Sequence, residues 1–167
     1  MRPDRLVLIL LITLSVVVAP PVSAHDALDQ TREQIVELAL KHINLQRAIN
    51  GVGLLTPNRR LSDAAQKHAE QMARRDFVDH QSPDGRSLQD RIATAGYSWR
   101  VLAENLSAGQ PSPENTVQSW MTSLAHRNNM LNPDYRELGI GYAVPSKEGK
   151  RQRYRNYWVV VFGDQSR

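Results

Sequence analysis

The chain has 167 residues, of which 41% are hydrophobic and 23% charged, with a formal net charge of +4 and no cysteine. A chain without cysteine has no disulfides and no thiolate zinc site, so any bound metal needs histidine, aspartate or glutamate ligands. The sequence contains no internal repeat or low-complexity linker, and its length suits one domain with its own hydrophobic core.

The first 24 residues have the layout of a secretory signal peptide. Arg2 and Arg5 precede an apolar run from Leu6 to Ala19, and the small residues Val22-Ser23-Ala24 follow. This run is short for a membrane span, so we expect cleavage before His25, export from the cytoplasm and no transmembrane segment in the cleaved protein. An uncleaved N-terminal anchor is the alternative.

Three helices are predicted before residue 97. The first covers Asp26 to Asn50, and its apolar face at three- and four-residue spacing consists of Ile35, Leu38, Ala39, Ile43, Leu45 and Ile49. Ser62 is the expected N-cap of the second helix, after a connecting loop "LLTPNRR". His68 lies on the alanine-rich face of that helix, and we interpret it as a packing residue. Ser87 caps a short third helix, "SLQDRIATAG".

The middle of the chain predicts a strand followed by two helical pieces. "VLAENLSAG" (101–109) is apolar except for Glu104, which predicts a strand that holds one buried carboxylate. Ser112-Pro113-Glu114 has the favoured order of cap, proline and acid at a helix start. The second piece, capped by Ser123, carries "LAHRNNML" and stops at Asn132-Pro133.

The C-terminal part changes its hydrophobic period. "ELGIGYAV" alternates and "YRNYWVVVFG" is a continuous β-branched and aromatic run, both typical of strands in a covered sheet. In the last strand, Trp158, Val160 and Phe162 are expected on one face, and Tyr157, Val159 and Val161 on the other. Helices that precede a final hairpin predict an α+β fold in helix–sheet–helix layers.

A basic segment, "GKRQRYR" (149–155), lies between the last two predicted strands. Clustered cations are typical of sites for nucleic acids or anionic polymers. No aromatic platform surrounds this segment, however, which favours a solvated hairpin tip. We therefore expect no nucleic-acid partner.

Three residues with metal-binding or proton-transfer chemistry lie outside the helical packing pattern: His80, Glu104 and His126. Two imidazoles and a carboxylate can form a zinc site with an open position. They can equally form a proton relay or a structural hydrogen-bond cluster. Their wide separation in sequence carries no metal signature, so the residues alone leave these alternatives open.

Five ordered motifs carry a family resemblance: "DHQSPDG", "AENLSAG", "SWMTSLAHRNNMLNP", "ELGIGYA" and "YWVVVFG". Together they resemble bacterial, cysteine-free members of the CAP superfamily, which includes cysteine-rich secretory, antigen 5 and pathogenesis-related proteins. The resemblance covers roughly Ile35 to Gly163, which implies a single SCP-like domain over residues 25–167. It also implies an α-β-α sandwich around a small antiparallel sheet, with strands at 103–109, 137–144 and 156–162.

The resemblance also implies a central cleft that contains His80, Glu104 and His126. Some family members bind divalent metal there through two histidines and two glutamates. Ser123 stands where eukaryotic relatives have the second glutamate, so we expect only weak binding of a zinc-like metal. Glu137 is the other carboxylate that can reach this cleft from the sheet.

Three further residues are implied as supports of the cleft. Arg127 and Asn129 are expected to hydrogen-bond loop carbonyls and hold His126 toward the cleft. Asn105, beside Glu104, is expected to fix the carboxylate's orientation. The alternative for Arg127 is a simple ion pair with an acid such as Asp84 or Asp90.

The favoured functional hypothesis is a binding or interaction module in the envelope or outside the cell. Its cleft would take a lipid, a glycan or a cell-wall fragment. The alternative is a metal-dependent hydrolase or peptidase with Glu104 as candidate general base. The sequence contains no recognisable Ser-His-Asp or cysteine nucleophile arrangement, which disfavours this alternative.

Overall fold

The computed structural model describes residues 24–146 and 152–165, with side chains from residue 31 onward. Its helices are α1 (Ala24–Ile49), α2 (Arg59–Arg75), α3 (Leu88–Thr94), α4 (Pro113–Thr122) and α5 (Leu124–Leu131). Its strands are β1 (Thr56–Pro57), β2 (Val101–Ala108), β3 (Glu137–Ala143) and β4 (Tyr157–Asp164). The predicted signal peptide lies outside the described residues except for Ala24, as do residues 149–151 of the basic segment.

The four strands form one sheet in the order β1-β3-β4-β2. Strand β4 lies between β3 and β2 and is antiparallel to both. The two-residue β1, in a segment predicted to be a loop, pairs parallel with β3 and makes the sheet mixed. The α+β fold and the three long strands are confirmed. None of the helices within the described residues is long and apolar enough to cross a membrane.

Helices cover both faces of the sheet, so the α-β-α sandwich is confirmed. Tyr157, Val159 and Val161 pack in one core cluster with residues of α2 and α3. Trp158, Val160 and Phe162 pack in a second cluster with residues of α1, α4 and α5. All six side chains are buried, because successive residues of a strand point to opposite faces and both faces are covered here.

Helix α2 lies directly on the backbone of β3. A Cβ atom placed on Gly139 would lie 2.1 Å from the backbone of Leu61, and one on Gly141 would lie 2.3 Å from that of Ala65. No side chain fits such a separation, so two glycines on the strand and small residues on the helix permit the contact. This close packing fixes the position of α2 against the sheet, and the helix ends at Arg75, where Asp76 takes a left-handed C-cap conformation.

The start of α2 corrects one prediction. The N-cap is Asn58 and not Ser62: its side-chain oxygen accepts hydrogen bonds from the backbone N–H groups of Arg60 and Leu61. Ser87 does cap α3, in a capping box with Asp90. Ser123 occupies the N-cap position of α5 but makes no side-chain cap bond.

The buried face of α1 also differs from the prediction. Leu38, Leu45 and Ile49 are 46%, 52% and 68% exposed, whereas Ala39, Ile43 and Arg47 are buried. These three buried residues follow one another at four-residue spacing. Arg47 can be buried because its guanidinium donates hydrogen bonds to the carbonyls of Gly53, Met130 and Asn132.

Candidate functional site

The loop between α2 and α3 carries His80, and it is held in place by contacts with the buried side chain of His68 on α2. The His68 side chain is fully buried, and its Nε2 lies 2.9 Å from the carbonyl oxygen of Asp79. Its Nδ1 lies 3.5 Å from Ser82 Oγ, which in turn accepts from Arg91 Nη1 at 3.4 Å. Burial lowers the pKa of His68. The interpretation of His68 as a packing residue is confirmed, with the added role of fixing this loop.

Glu104 receives the partners that its position in an apolar strand requires. Its side chain is 2% exposed. Oε2 accepts a hydrogen bond from Arg91 Nη2 at 2.7 Å, and Oε1 lies 2.8 Å from His80 Nδ1. Arg91 also donates to the His80 carbonyl at 2.7 Å. The buried charge is therefore compensated by a buried guanidinium and an imidazole, as buried carboxylates require.

The His80 side chain is 61% exposed although its Nδ1 contacts a buried carboxylate. The hydrogen bond to Glu104 raises the pKa of His80, because the carboxylate stabilises the protonated ring. The ring is thus oriented by Glu104 from within the protein and open to solvent on its outer side.

His126 approaches this pair from the other face of the sheet. Neighbouring strand residues face opposite sides, so Glu104 points toward α3 and Asn105 toward α5. Asn105 Nδ2 donates to the His126 carbonyl at 3.0 Å. Burial lowers the pKa of His126, and so does the nearby charge of His80. Among the described residues, no hydrogen bond joins the side chains of His80 and His126.

Asn105 and Asn129 lie beside Glu104, but their contacts differ from those that the resemblance implied. Asn105 reaches the His126 carbonyl and not the Glu104 carboxylate, and Asn129 reaches strand β2 and not a loop. Asn129 Nδ2 donates to Asn105 Oδ1 at 2.8 Å and lies 3.5 Å from the Glu104 carbonyl. Arg127 is exposed, and among the described residues its guanidinium has no hydrogen-bond or ion-pair partner. The expected contact of Arg127 with loop carbonyls is not present among the described residues, and this position of α5 faces solvent.

The two acids named as alternative ion-pair partners of Arg127 bind other groups. Asp84 pairs with Arg86 at 2.7 Å, and Asp90 accepts hydrogen bonds from the backbone N–H and the hydroxyl of Ser87. Within the described residues, neither of these acids pairs with Arg127.

A groove of about 390 Å³ opens beside the His80–Glu104 pair. It is lined by His80, Gln81, Ser87, Leu88, Gln89, Ala103, Glu104 and Asn129. The lining combines two exposed amides, a hydroxyl and a half-buried amide with the apolar surface of Leu88 and Ala103. His126 does not line this groove, so the structure brings two of the three predicted site residues to one opening.

The arrangement does not fit a metal centre. Within the described residues, no group of three or more His, Cys, Asp or Glu side chains could hold a metal ion. Both oxygens of Glu104 are already hydrogen-bonded, one to His80 and one to the cation of Arg91. Glu137 does not supply a second carboxylate, because it accepts hydrogen bonds from Asn58, Tyr97 and Gln165.

Arg91 is the site residue that the sequence reasoning missed. A cation on a short, polar helix is usually solvated, yet the Arg91 side chain is only 6% exposed. The available signal was indirect: a carboxylate in an apolar strand requires a positive or hydrogen-bonding partner. The sequence does not identify which of the chain's arginines supplies it.

Sequence comparison gives a family match over most of the chain. The family described as "Cysteine-rich secretory protein family" (CAP) matches residues 40–162. An uncharacterised Bacillus subtilis protein, YkwD, is 34% identical over 120 residues, which are 72% of this chain and 45% of that protein. An uncharacterised B. subtilis membrane protein, YlbC, is 28% identical over 66% of this chain and 31% of its own length. This chain thus spans less than half the length of these curated relatives.

Solved structures share the fold at low sequence identity. An extracellular Bacillus anthracis protein with an SCP domain superposes with a TM-score of 0.73 and 22% identity, over 88% of this chain and 45% of that one. An outer surface protein of Borrelia burgdorferi gives a TM-score of 0.71 and 19% identity, over 80% and 95% of the two chains. A Staphylococcus aureus cysteine-rich secretory protein gives 0.62 and 20%, over 81% and 40%.

Proposed function

The chain belongs to the cysteine-rich secretory protein (CAP) family, as its cysteine-free variety, and on that premise we propose that it is an exported binding module. Its ligand is a polar cell-wall fragment, a glycopeptide rich in amides and hydroxyls, that lies in the groove beside His80. The observation that carries this proposal is an exposed imidazole held in place by a buried Glu104–Arg91 pair at 2.7 Å.

The electrostatics of His80 suit hydrogen-bond donation to a ligand. A raised pKa keeps the ring protonated to higher pH, and a protonated imidazole donates hydrogen bonds from both nitrogens. Nδ1 is engaged with Glu104, so Nε2 is the donor available to a carbonyl or carboxylate of the ligand.

The groove lining favours a glycopeptide over an acyl chain. Gln81, Gln89, Ser87 and Asn129 provide amide and hydroxyl groups, which can both donate and accept hydrogen bonds. Ser87 is already hydrogen-bonded to Asp90, but an acyl chain would cover the Gln89 amide and the remaining donor and acceptor positions of Gln81 and Asn129, at a cost in free energy. Leu88 and Ala103 supply apolar contact for the flat, non-polar parts of a sugar or peptide.

Export is part of this proposal. The predicted signal peptide supports it, and so do the descriptions of the structural neighbours as extracellular or outer-surface proteins. We expect N-terminal sequencing of the exported protein to begin at His25. A polypeptide that still begins at Met1 would contradict cleavage.

Calorimetric titration with a soluble disaccharide-peptide muropeptide tests the binding proposal. The wild-type protein should give saturable heat, and His80→Ala and Gln89→Ala should each weaken binding about tenfold or more, the loss expected for a buried hydrogen bond to a charged or polar group. Gln118→Ala is the matched control, because Gln118 is an exposed glutamine on α4 outside the groove. Absence of binding, or an equal loss in the control, would overturn the proposal.

A hydrolase is the second candidate, and the His80–Glu104 hydrogen bond is the observation in its favour. A carboxylate that orients an imidazole is one half of a general acid–base arrangement. Incubation of polymeric cell wall or a peptide library with the protein, and with His80→Ala, would detect turnover.

Weak binding of a zinc-like metal at His80, Glu104 and His126 stays a prediction from the family resemblance. Zinc titration of the wild type and His126→Ala tests it independently of catalysis. Heat that saturates in the wild type and vanishes in the variant would show that the side chains rearrange from the present geometry to hold the ion.

A further inference from the structure

The groove beside His80 lies across an open edge of the sheet. Strand β2 is the last in the order β1-β3-β4-β2, and within the described residues its outer edge pairs with no strand. The groove is lined by Leu88 of α3, which packs on one face of the sheet, and by Asn129 of α5, which packs on the other. Ala103 and Glu104 of β2 line it between them. A ligand in the groove therefore lies alongside the backbone of β2.

Alternate residues of β2 turn their backbone hydrogen-bonding groups away from β4. In an antiparallel pair, one residue exchanges both hydrogen bonds with its partner, and the next residue points both groups outward. Just past the end of β2, the Gly109 N–H donates to the Asn156 carbonyl at 2.9 Å, in the same register as the two strands. Two-residue steps back from Gly109 place Ala103 toward β4. Leu102 and Glu104 therefore face outward.

The outward groups have partners farther along β2 but not at the groove. The Leu106 carbonyl accepts a hydrogen bond from Trp120 Nε1 at 2.9 Å, as its outward direction requires. Among the described residues, no hydrogen bond reaches the N–H or carbonyl of Leu102 or the N–H of Glu104. Glu104 as a whole is 6% exposed and its side chain 2%, so its remaining exposure lies mainly on the backbone. Such an edge is a template for another strand.

We propose that the peptide part of the ligand binds as an added strand on this edge of β2, an inference that rests on the proposed function. One ligand residue exchanges both of its backbone hydrogen bonds with Leu102. A ligand carbonyl two residues away accepts from the Glu104 N–H. Main-chain hydrogen bonds of this kind supply affinity in many peptide-binding domains.

The spacing of the outward groups suits an extended peptide. Outward residues recur every two positions, about 6.6 Å along a strand, which is the repeat at which an extended peptide presents its own outward groups. The layers on either side then hold the peptide in the plane of the sheet. Leu88 supplies apolar contact on the α3 side, and Asn129 supplies an amide on the α5 side.

Amide hydrogen exchange, followed by NMR on the full wild-type protein with and without saturating muropeptide, tests the pairing directly. In the free protein, the Leu102 and Glu104 amides should exchange faster than the Ala103 amide, which is already bonded to β4. On binding, the first two should slow, and Ala103, as the internal control, should change little. Unchanged exchange at Leu102 and Glu104 in a saturated complex would overturn the strand pairing.

Proline at position 102 tests the hydrogen bond from the Leu102 N–H. An edge strand tolerates proline where the N–H points outward, so Leu102→Pro should keep the ladder with β4, whereas Ala103→Pro should lower stability by removing a ladder bond to Phe162. Leu102→Ala is the matched control, because it also removes the leucine side chain but keeps the N–H. In calorimetric titration with the muropeptide, Leu102→Pro should bind about threefold to tenfold more weakly than Leu102→Ala, the loss expected for one neutral hydrogen bond. Equal affinities would overturn this hydrogen bond.

The stem peptide without its disaccharide separates this inference from the proposed function. Muropeptide binding that shifts the signals of the His80 groove without slowing exchange at Leu102 and Glu104 would overturn the pairing alone. Slowed exchange with the stem peptide, where the muropeptide does not bind, would support the pairing and overturn the glycopeptide as ligand. Binding of neither probe would overturn both.

Discussion

Replacement of Arg91 by methionine should destabilise the protein far more than removal of an ordinary ion pair. Arg91 and Glu104 are 6% and 2% exposed and 2.7 Å apart. Removal of one member of a buried pair leaves an uncompensated charge, which costs about 3–5 kcal/mol in the free energy of unfolding. Arg91→Met also removes the hydrogen bond to the His80 carbonyl.

The assay is equilibrium urea unfolding at neutral pH in a double-mutant cycle. The cycle contains the wild type, Arg91→Met, Glu104→Gln and the double variant, in which the buried carboxylate charge is also gone. We expect the double variant to lose less than the sum of the two single losses, with a coupling of about 1–3 kcal/mol. Arg100→Met is the matched control, since the Arg100–Asp164 pair is largely exposed and should contribute about 1 kcal/mol or less.

Two results would refute this reasoning. If Arg91→Met costs no more than Arg100→Met, the Glu104 charge is compensated by some other group. If the two single losses simply add, Arg91 and Glu104 do not stabilise the fold as a pair.

Three further predictions concern pH and the core. Burial lowers the pKa of His68, so on acidification the unfolded chain binds a proton before the folded protein does. The free energy of unfolding should therefore fall as pH drops below about 6.5, the usual pKa of histidine. In urea unfolding, His68→Gln should reduce this loss of stability at acid pH. The pKa of His80, followed by NMR, should lie above its usual value in the wild type and fall in Glu104→Gln, and an unshifted titration would contradict the hydrogen bond. The raised pKa of His80 has the opposite effect on stability to the lowered pKa of His68. It stabilises the fold at pH values below the unfolded-state pKa of His80, and this stabilisation is lost as pH rises through the folded-state pKa. Val160→Asp should cost about 4 kcal/mol or more because Val160 is fully buried, whereas Val144→Asp at a 56% exposed position should melt close to wild type.

The three long strands could be predicted from the sequence because their hydrophobic patterns are typical of strands in a covered sheet. A continuous apolar and aromatic run such as 157–162 must be covered on both faces, whichever helices provide the cover. The sequence determines less clearly which face of α1 is buried, since Leu38 and Leu45 satisfy helical spacing as well as Ala39 and Ile43 do. The buried face runs through Ala39, Ile43 and Arg47, and it depends on tertiary contacts such as those of Arg47 with the carbonyls of Met130 and Asn132.

The candidate site was predictable only in part for the same reason. The sequence indicated that Glu104 needs a partner, and His80 is that partner in the structure. It could not indicate which residues of α5 reach the groove: Asn129 lines it and His126 does not. Nor could it distinguish Arg91 from the many exposed arginines, because burial of a guanidinium depends on neighbours distant in sequence.

The most direct test of the account is an NMR titration of the isotope-labelled protein with a disaccharide-peptide muropeptide. If the groove is the binding site, chemical shifts should move in a saturable way at His80, Gln81, Gln89 and Asn129, and the pKa of His80 should change on binding. Binding that leaves these residues unmoved, or shifts confined to another surface, would contradict the proposal that this family member recognises its ligand through the His80 groove.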